Sequence, residues 1–361
     1  MKVNIAILIF SLFLLLFILT LGRSKTRELY YNTKIKSTPL PLSNKINSIE
    51  KRNDNTIFIS IASYRDKDCI HTIIDCFEKA KYPKNITLGI CQQNKDEDMD
   101  CIYNEHYEKI KNYHPQIKVI RIPFYEARGP TFARYWCATL WEGENYFMQI
   151  DSHTRFEKDW DEKCLSMVKG FNKKEIVLST YPPEIGHETS DSVTIICSAF
   201  FNEPEDMLSF PGAGLFQSPK VPIETAFIAG GFFFTDASFL KEIPFDPHLP
   251  DLFVGEEILQ SMRFWTHGWD IYAPNQNIVY HHYTRADEPK VWGDRNMDSR
   301  LSKKKVKTLM GFSNEEVPHE LNYKIEQYGL GDKRSIQDFY NFIGYDFKEK
   351  KCNKDFCKDI R

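Results

Sequence analysis

Several absences narrow the field before any motif is considered. None of the nine cysteines stands in a C-x-x-C pair, so a zinc ribbon has no ligand framework here. Neither sign of charge dominates: 47 Lys and Arg face 50 Asp and Glu, a net charge of −3, which argues against a general nucleic-acid binder. No internal repeat or strong low-complexity block follows residue 55, so one domain is the simplest parse of the rest. The acidic stretch NKDEDMD (Asn94 to Asp100) lacks the central Gly and the closing Glu of an EF-hand loop, and reads as a solvated loop.

Other features are present in excess. Apolar residues dominate from Val3 to Leu21, about the ~20 needed to span a bilayer and longer than the ~7–15 of a cleaved signal's core. Residues 1–22 are therefore expected to be a signal anchor, although Lys2 and Thr20-Leu21-Gly22 would also suit a cleaved signal peptide. The orientation signal conflicts. Arg23, Lys25 and Arg27 outnumber Lys2, which would keep that flank cytosolic, whereas a secretory-pathway enzyme of single-pass type II topology needs it in the Golgi or ER lumen. Residues 23–55 are polar, carry Pro39 and Pro41 and show no sustained period, as a stem would. A catalytic domain is expected over 56–361. The odd cysteine count leaves at least one thiol free, and Cys352 and Cys357 could close a short C-terminal loop, with connectivity open. Asn85-Ile86-Thr87 is an N-glycosylation acceptor and lends weak support to a luminal domain. Aromatics make up 14 % of the chain, enough for a large core or a stacking cleft.

From Thr56 onward the periodicity is that of an α/β sheet. TIFISIAS, ITLGICQQN, IKVIRIPF and NYFMQID read as strands; CIHTIIDCFEKAKYP and TFARYWCATLWEG have helical spacing. Polar residues collect where the strands end, and ligands in such sheets bind at the carboxyl ends. Asp151 and His153 stand at one such end. Two residues apart on an extended backbone, they point the same way. A later strand, IVYHHYTR, ends in His281 and His282, of which alternation lets only one face the same site. One Asp and two His with open positions suit a first-row divalent ion such as Mn2+, or Mg2+, that also grips a phosphate.

These blocks carry a resemblance. QIDSH is similar to the metal-binding Asp-x-His of polypeptide N-acetylgalactosaminyltransferases, AGGFFFTDASFLKEI to their Gly-Gly strand, VGEEILQSMRFWTHGW to their Gly-Glu-Asn run and HHYTR to their His-x-x-Arg. FISIASYRD, CQQN, EARGPTFAR, QIDSHTRF, AGGFFF and VGEE resemble, in order, the blocks of the α-N-acetylglucosaminyltransferases that modify hydroxyproline, Ser or Thr. The likeness spans roughly residues 56 to 345. Relative to the N-acetylgalactosaminyl family, Glu257 stands where Asn is usual, Phe253-Val254 replaces Trp-Gly, and no room remains for a C-terminal lectin domain.

The resemblance implies a glycosyltransferase type A fold, a Rossmann-like mixed sheet flanked by helices, in a single catalytic domain behind the anchor. It implies a UDP-sugar donor, a protein or peptide acceptor and a retaining transfer. His-x-x-Arg selects His282 as the third metal ligand beside Asp151 and His153. Arg128, Arg134 and Arg285 are candidates to share the diphosphate charge, since guanidinium matches phosphate oxygens bidentately. Ser60, Ala62, Tyr64, Arg65 and Gln92 would hold the uridine. Glu256 or Glu257 would grip donor or acceptor hydroxyls; of two adjacent glutamates one is usually a solvated neighbour, and Glu256 is taken as the site residue, with Asp151 as the other catalytic carboxylate. Trp292 would lie on a lid. A phosphohydrolase using the same Asp and His, or an inactive sugar-binding homologue, is the alternative.

Overall fold

The run Ile57–Tyr64 is buried along its first five residues, so it can only be a central strand of a sheet covered on both faces. The computed structural model describes residues 46–360 apart from 53, 189, 190, 315, 318, 323 and 324. The segment read as a membrane anchor, and the stem up to residue 45, lie outside the described residues. Among the described residues no helix is long and apolar enough to cross a membrane.

Strand β1 (Ile57–Tyr64) is flanked in parallel by β2 (Ile86–Asn94) and β4 (Tyr146–Asp151), and β3 (Ile117–Pro123) pairs in parallel with β2. Helix α1 (Cys69–Lys79) packs Ile70, Ile73 and Phe77 against Ile57, Ile59 and Ile61 on one face. Helix α2 (Pro130–Ala138) covers the opposite face, where Tyr135 and Ala138 meet Phe58 and Phe147. Pro130 opens α2 at a position where its missing N–H costs nothing. The expected helix through Gly143 is shorter: from Thr139 to Trp141 the N–H groups bond three residues back, a tightened turn that ends the helix early.

Past β4 the sheet changes direction. After the short β5 (Thr154–Phe156), α3 (Trp160–Lys169) and β6 (Ile176–Ser179), strand β12 (Phe232–Asp236) inserts antiparallel between β4 and β6. β13 (Asp270–Ala273) runs parallel to β6, and β11 (Ile223–Thr225) closes the edge antiparallel to β13. The result is an eight-stranded mixed sheet flanked by helices, in the order β11-β13-β6-β12-β4-β1-β2-β3. Small ribbons lie outside it: β7 (Ser192–Ile195) with β10 (Gly214–Gln217), β8 (Phe200–Asn202) with β9 (Met207–Ser209), β5 with β14 (Val279–His281), and β15 (Tyr345–Asp346) with β16 (Lys351–Cys352). Helices α4 (Glu256–Thr266), α5 (Arg300–Leu309) and α6 (Ile336–Ile343) share a second core around Met262, Val306 and Phe339.

The high aromatic content is mainly core. Trp141, Trp160, Trp269, Phe58, Phe77 and Phe147 are fully buried, each contributing about 1.5–3 kcal/mol or more of transfer free energy. The exceptions include Phe253 and Trp292, both 55 % exposed.

Two local expectations change. Cys357 bonds Cys197, 160 residues away, while Cys352 is free, so the cross-link ties the C-terminal tail to the segment after β7 instead of closing a short loop. The acidic loop is also more than solvated. Asp98 accepts from Arg65 Nε at 2.8 Å, and Asp100 from Arg121 Nε at 2.9 Å and Gln92 Nε2 at 3.0 Å.

The end of the segment read as stem packs on the domain. Ile46 is 1 % exposed in the cluster with Phe58, Trp141 and Phe147; Arg52 N–H donates to Gly143 O at 2.7 Å, and Lys51 pairs with Asp236. Replacing Ile46 by Ala leaves a cavity in that cluster and is expected to destabilise the domain by about 2–5 kcal/mol. Chemical denaturation measures it; a change within about 0.5 kcal/mol, as for a surface site, would return Ile46 to the stem.

Candidate active site

The carboxyl end of β4 sets the site. Ala62 of β1 lies directly beside Asp151 in the sheet register. The chain then turns sharply, and Thr72 of α1 holds the turn: its Oγ1 donates within reach of Ser152 O (2.8 Å) and Thr154 O (2.9 Å) and accepts from Thr154 N–H (2.9 Å). Asp151 and His153 emerge on one side of this turn. Opposite them, β14 pairs antiparallel with β5, His281 facing Thr154 in register. His281 Nε2 comes within 3.1 Å of Asp151 Oδ2, and the rings of His153 and His281 are 4.6 Å apart.

Asp151, His153 and His281 can each present one ligand atom within 4.8 Å of the others. This corrects the expectation of His282. Its imidazole turns away to lie 3.9 Å from Asp68, and only its backbone N–H reaches the site's loop, at His153 O. Strand β14 ends at His281, whose N–H is held by Pro183 O at 2.8 Å. The resemblance to His-x-x-Arg selects the neighbour, and a one-residue change of phase reverses the face.

The Gly-Gly pair before β12 serves close approach. A Cβ on Gly231 would stand 3.2 Å from Asp151 Oδ2, and one on Gly230 3.3 Å from both Nη atoms of Arg134. Arg134, buried on α2, donates to Gly230 O (2.8 Å), reaches Asp151 Oδ1 (3.3 Å) and pairs with Glu256. Glu257 accepts from Gly230 N–H at 2.7 Å and from Tyr181 OH. Arg285 lies 3.0 Å from Asp66 Oδ2 and 3.3 Å from His153 Nε2. Asp66 and Tyr181 are not among the site residues expected from sequence, and Glu257 stands there only as the second choice to Glu256. Asp66 sits in the polar cluster ending β1, and only its lone position at a strand end could have flagged it.

The residues expected around the uridine divide. Tyr64 and Arg65 are at the strand end, both bonded to Asp294, at 3.0 and 2.7 Å, in the one-turn helix Val291–Asp294 that carries Trp292. Ala62 is half-buried above Asp151's neighbour position. Ser60 is corrected: fully buried in mid-strand, it cannot meet a ligand. Gln92 is corrected as well. It is 5 % exposed, and its carboxamide is taken by Asp100 (3.0 Å) and Cys101 N–H (2.7 Å). Arg128 is exposed over the Phe132 ring, apart from the His-Asp cluster's bonds. Trp292 packs against Phe253 with ring centroids 5.1 Å apart and planes tilted by 58°.

Electrostatics keep the Asp151 and Asp66 carboxylates ionised. Burial pushes the Asp151 carboxyl up, but His281, Arg134 and His153 outweigh it and hold the group below the ordinary carboxylate range. Asp66 is likewise raised by burial and lowered further by His153, Arg285 and Ser152, to about 2. Burial raises the Glu257 carboxyl above its usual value despite the Gly230 N–H and Tyr181. An ionised carboxylate with two imidazoles is a donor set that fits a first-row divalent ion.

The sequence matches the family described as Glycosyltransferase (GlcNAc) over residues 56–116 and 104–349. The chain belongs to this family. No curated protein matches it. Among solved structures, the fold of this glycosyltransferase (GlcNAc) family member is similar to that of GalNAc-T7, crystallised with UDP, GalNAc and Mn2+, at a TM-score of 0.57 and 14 % identity. The match covers 83 % of this chain and 58 % of that one, so it spans rather more than half of that protein's length. A fragment of S. aureus TarS (1–349) in complex with UDP-GlcNAc also aligns, at a TM-score of 0.47 and 14 % identity over 73 % of this chain and 69 % of that one.

The geometry ranks the two adjacent histidines. His281→Ala is expected to weaken Mn2+ binding by more than the ~10–100-fold that loss of an outer-shell partner costs, and His282→Ala by far less. Electron paramagnetic resonance of free Mn2+ measures both; the opposite ranking would restore His282 as the ligand.

Proposed function

We propose that the protein is a metal-dependent, retaining glycosyltransferase. It moves a sugar, N-acetylglucosamine by our reading, from a UDP-sugar to a hydroxyl of a protein, on hydroxyproline, Ser or Thr. The observation that carries this reading is the Asp151, His153 and His281 cluster at the carboxyl end of β4, in a chain of a glycosyltransferase family. Asp151, His153 and His281 would hold the divalent ion, Mn2+ or Mg2+. When bound, the ion supplies Lewis-acid neutralisation of the departing diphosphate.

The chain's own residues supply positioning and charge. Arg285, at the mouth beside His153, is the guanidinium best placed for phosphate oxygens, with Arg128 exposed as a second. Arg134 is spent on Glu256, Asp151 and Gly230, so its role is to brace the floor of the site. Glu256 meets Arg134 through Oε1, and its other oxygen would grip a sugar hydroxyl, whereas both oxygens of Glu257 are committed, to Gly230 N–H and to Tyr181 OH. Tyr64 and Arg65 would border the base, and Trp292 with Phe253 would flank the entrance.

The engagement of the carboxylates supports retention. Asp151 is assigned to the metal, and Glu256 and Glu257 are tied to Arg134, Gly230 and Tyr181. A same-face displacement needs neither a covalent nucleophile nor a protein base. The acceptor hydroxyl attacks as the C–O bond to the diphosphate breaks, and its proton passes to a phosphate oxygen, with the protein providing orientation and electrostatics. The Cys197–Cys357 bond supports an oxidising compartment, hence a luminal domain behind an N-terminal anchor.

A panel of UDP-sugars assayed for UDP release, with and without Mn2+ and a hydroxyl-bearing peptide, tests the proposal. The expected outcome is Mn2+-dependent UDP release with UDP-N-acetylglucosamine, raised by the peptide, and an α-linked product by the anomeric coupling in proton NMR. A β linkage would overturn retention and make Glu256 or Glu257 the missing base. Release of inorganic phosphate would indicate a hydrolase, and binding without turnover an inactive homologue.

A further inference from the structure

Asp66 lies just beyond β1 with its side chain 2 % exposed, and a single oxygen of it gathers three donors. Oδ2 accepts from Ser152 Oγ at 2.6 Å, from His153 Nδ1 at 2.8 Å and from Arg285 Nη2 at 3.0 Å. Oδ1 accepts the Asp68 N–H at 2.9 Å, which fixes the plane of the carboxylate. Ser152 and His153 belong to the turn that carries the metal ligands, whereas Arg285 comes from the segment after β14. One oxygen therefore joins a metal ligand to the guanidinium best placed for the diphosphate.

Two separate contacts specify the same form of His153. A carboxylate can only accept, so the nitrogen facing Asp66, Nδ1, must carry the hydrogen. A guanidinium can only donate, so the nitrogen facing Arg285, Nε2 at 3.3 Å, must offer its lone pair. Both demands are met by the Nδ1–H tautomer alone. Its Nε2 lone pair, which meets Arg285 Nη1 here, is the one a bound ion would take in place of that contact.

We propose that Asp66 is the positioning residue of the metal centre: it sets His153 as the Nδ1–H tautomer and, through the same oxygen, holds Arg285 beside it. Asp66 itself touches neither ion nor donor. Carboxylates behind ligating histidines fix ring orientation and raise ligand basicity, and their loss weakens metal binding by about 10–100-fold. The identity of the ion rests on the glycosyltransferase reading; the tautomer does not.

Two measurements on the full chain decide the proposal. In metal-free protein labelled with 15N-histidine, the His153 resonances, assigned by their loss in His153→Gln, are expected to report Nδ1–H. An Nε2–H pattern would overturn the assignment, and this measurement needs no variant of Asp66. In the second, Asp66→Asn keeps the shape but removes the charge and one acceptor. It is expected to raise the Mn2+ dissociation constant about 10–100-fold in protein that circular dichroism shows to be folded at the assay temperature, with the melting temperature lowered by the loss of the Arg285 partner. An unchanged Mn2+ affinity in a folded Asp66→Asn protein would overturn the positioning role. Should the parent itself bind no Mn2+, the metal-dependent reading falls, and the tautomer measurement still decides the role of Asp66.

Discussion

A buried guanidinium holds this site together. Arg134 projects from α2 into the gap between β4, the Gly230-Gly231 turn and the first turn of α4, and bonds to Asp151, to Gly230 O and to Glu256. These partners are 17, 96 and 122 residues away in sequence. Taking such a charge out of water costs several kcal/mol unless every direction is compensated. Two carboxylates and a carbonyl compensate its Nη groups, while the buried Nε has no hydrogen-bond partner. Removing any of them would leave an uncompensated buried ion, so the position of Asp151 and the start of α4 depend on the same contact.

The two glycines follow from that constraint. With Arg134 and Glu257 against Gly230, and Asp151 against Gly231, a side chain at either place would press on the polar atoms it needs to leave free. The first turn of α4 adds its own preference, since Glu256 and Glu257 sit where the helix dipole favours negative charge. One of this pair braces the buried arginine. The other ties the glycine turn to Tyr181, so segments from β6 to α4 converge on one floor beneath the Asp151, His153 and His281 cluster.

Periodicity and strand-end polarity were readable one segment at a time. Apolar runs marked β1, β2, β3 and β4, and Asp151 with His153 two residues apart at a strand end signalled a shared direction. The shorter pieces were less legible. β14 has three residues and β5 three, too few for alternation to give a phase, so His281 and His282 could not be separated by pattern. Ser60 and Gln92 carried polar side chains in strands that looked open at their ends, but helix packing and the acidic loop had already claimed both positions.

By itself the sequence determined the class of sheet, the end at which its polar residues collect, and the Asp-x-His pair, because these depend on local alternation and burial. The tertiary structure decided which of two adjacent histidines completes the cluster, which cysteine bonds Cys197, how far the folded domain reaches toward the N terminus, and that Asp66 stands behind His153. The physical reason is distance along the chain. Each of these outcomes is set by contacts between residues 80 or more positions apart, whose register depends on how β5, β14, α1 and α2 pack against the sheet.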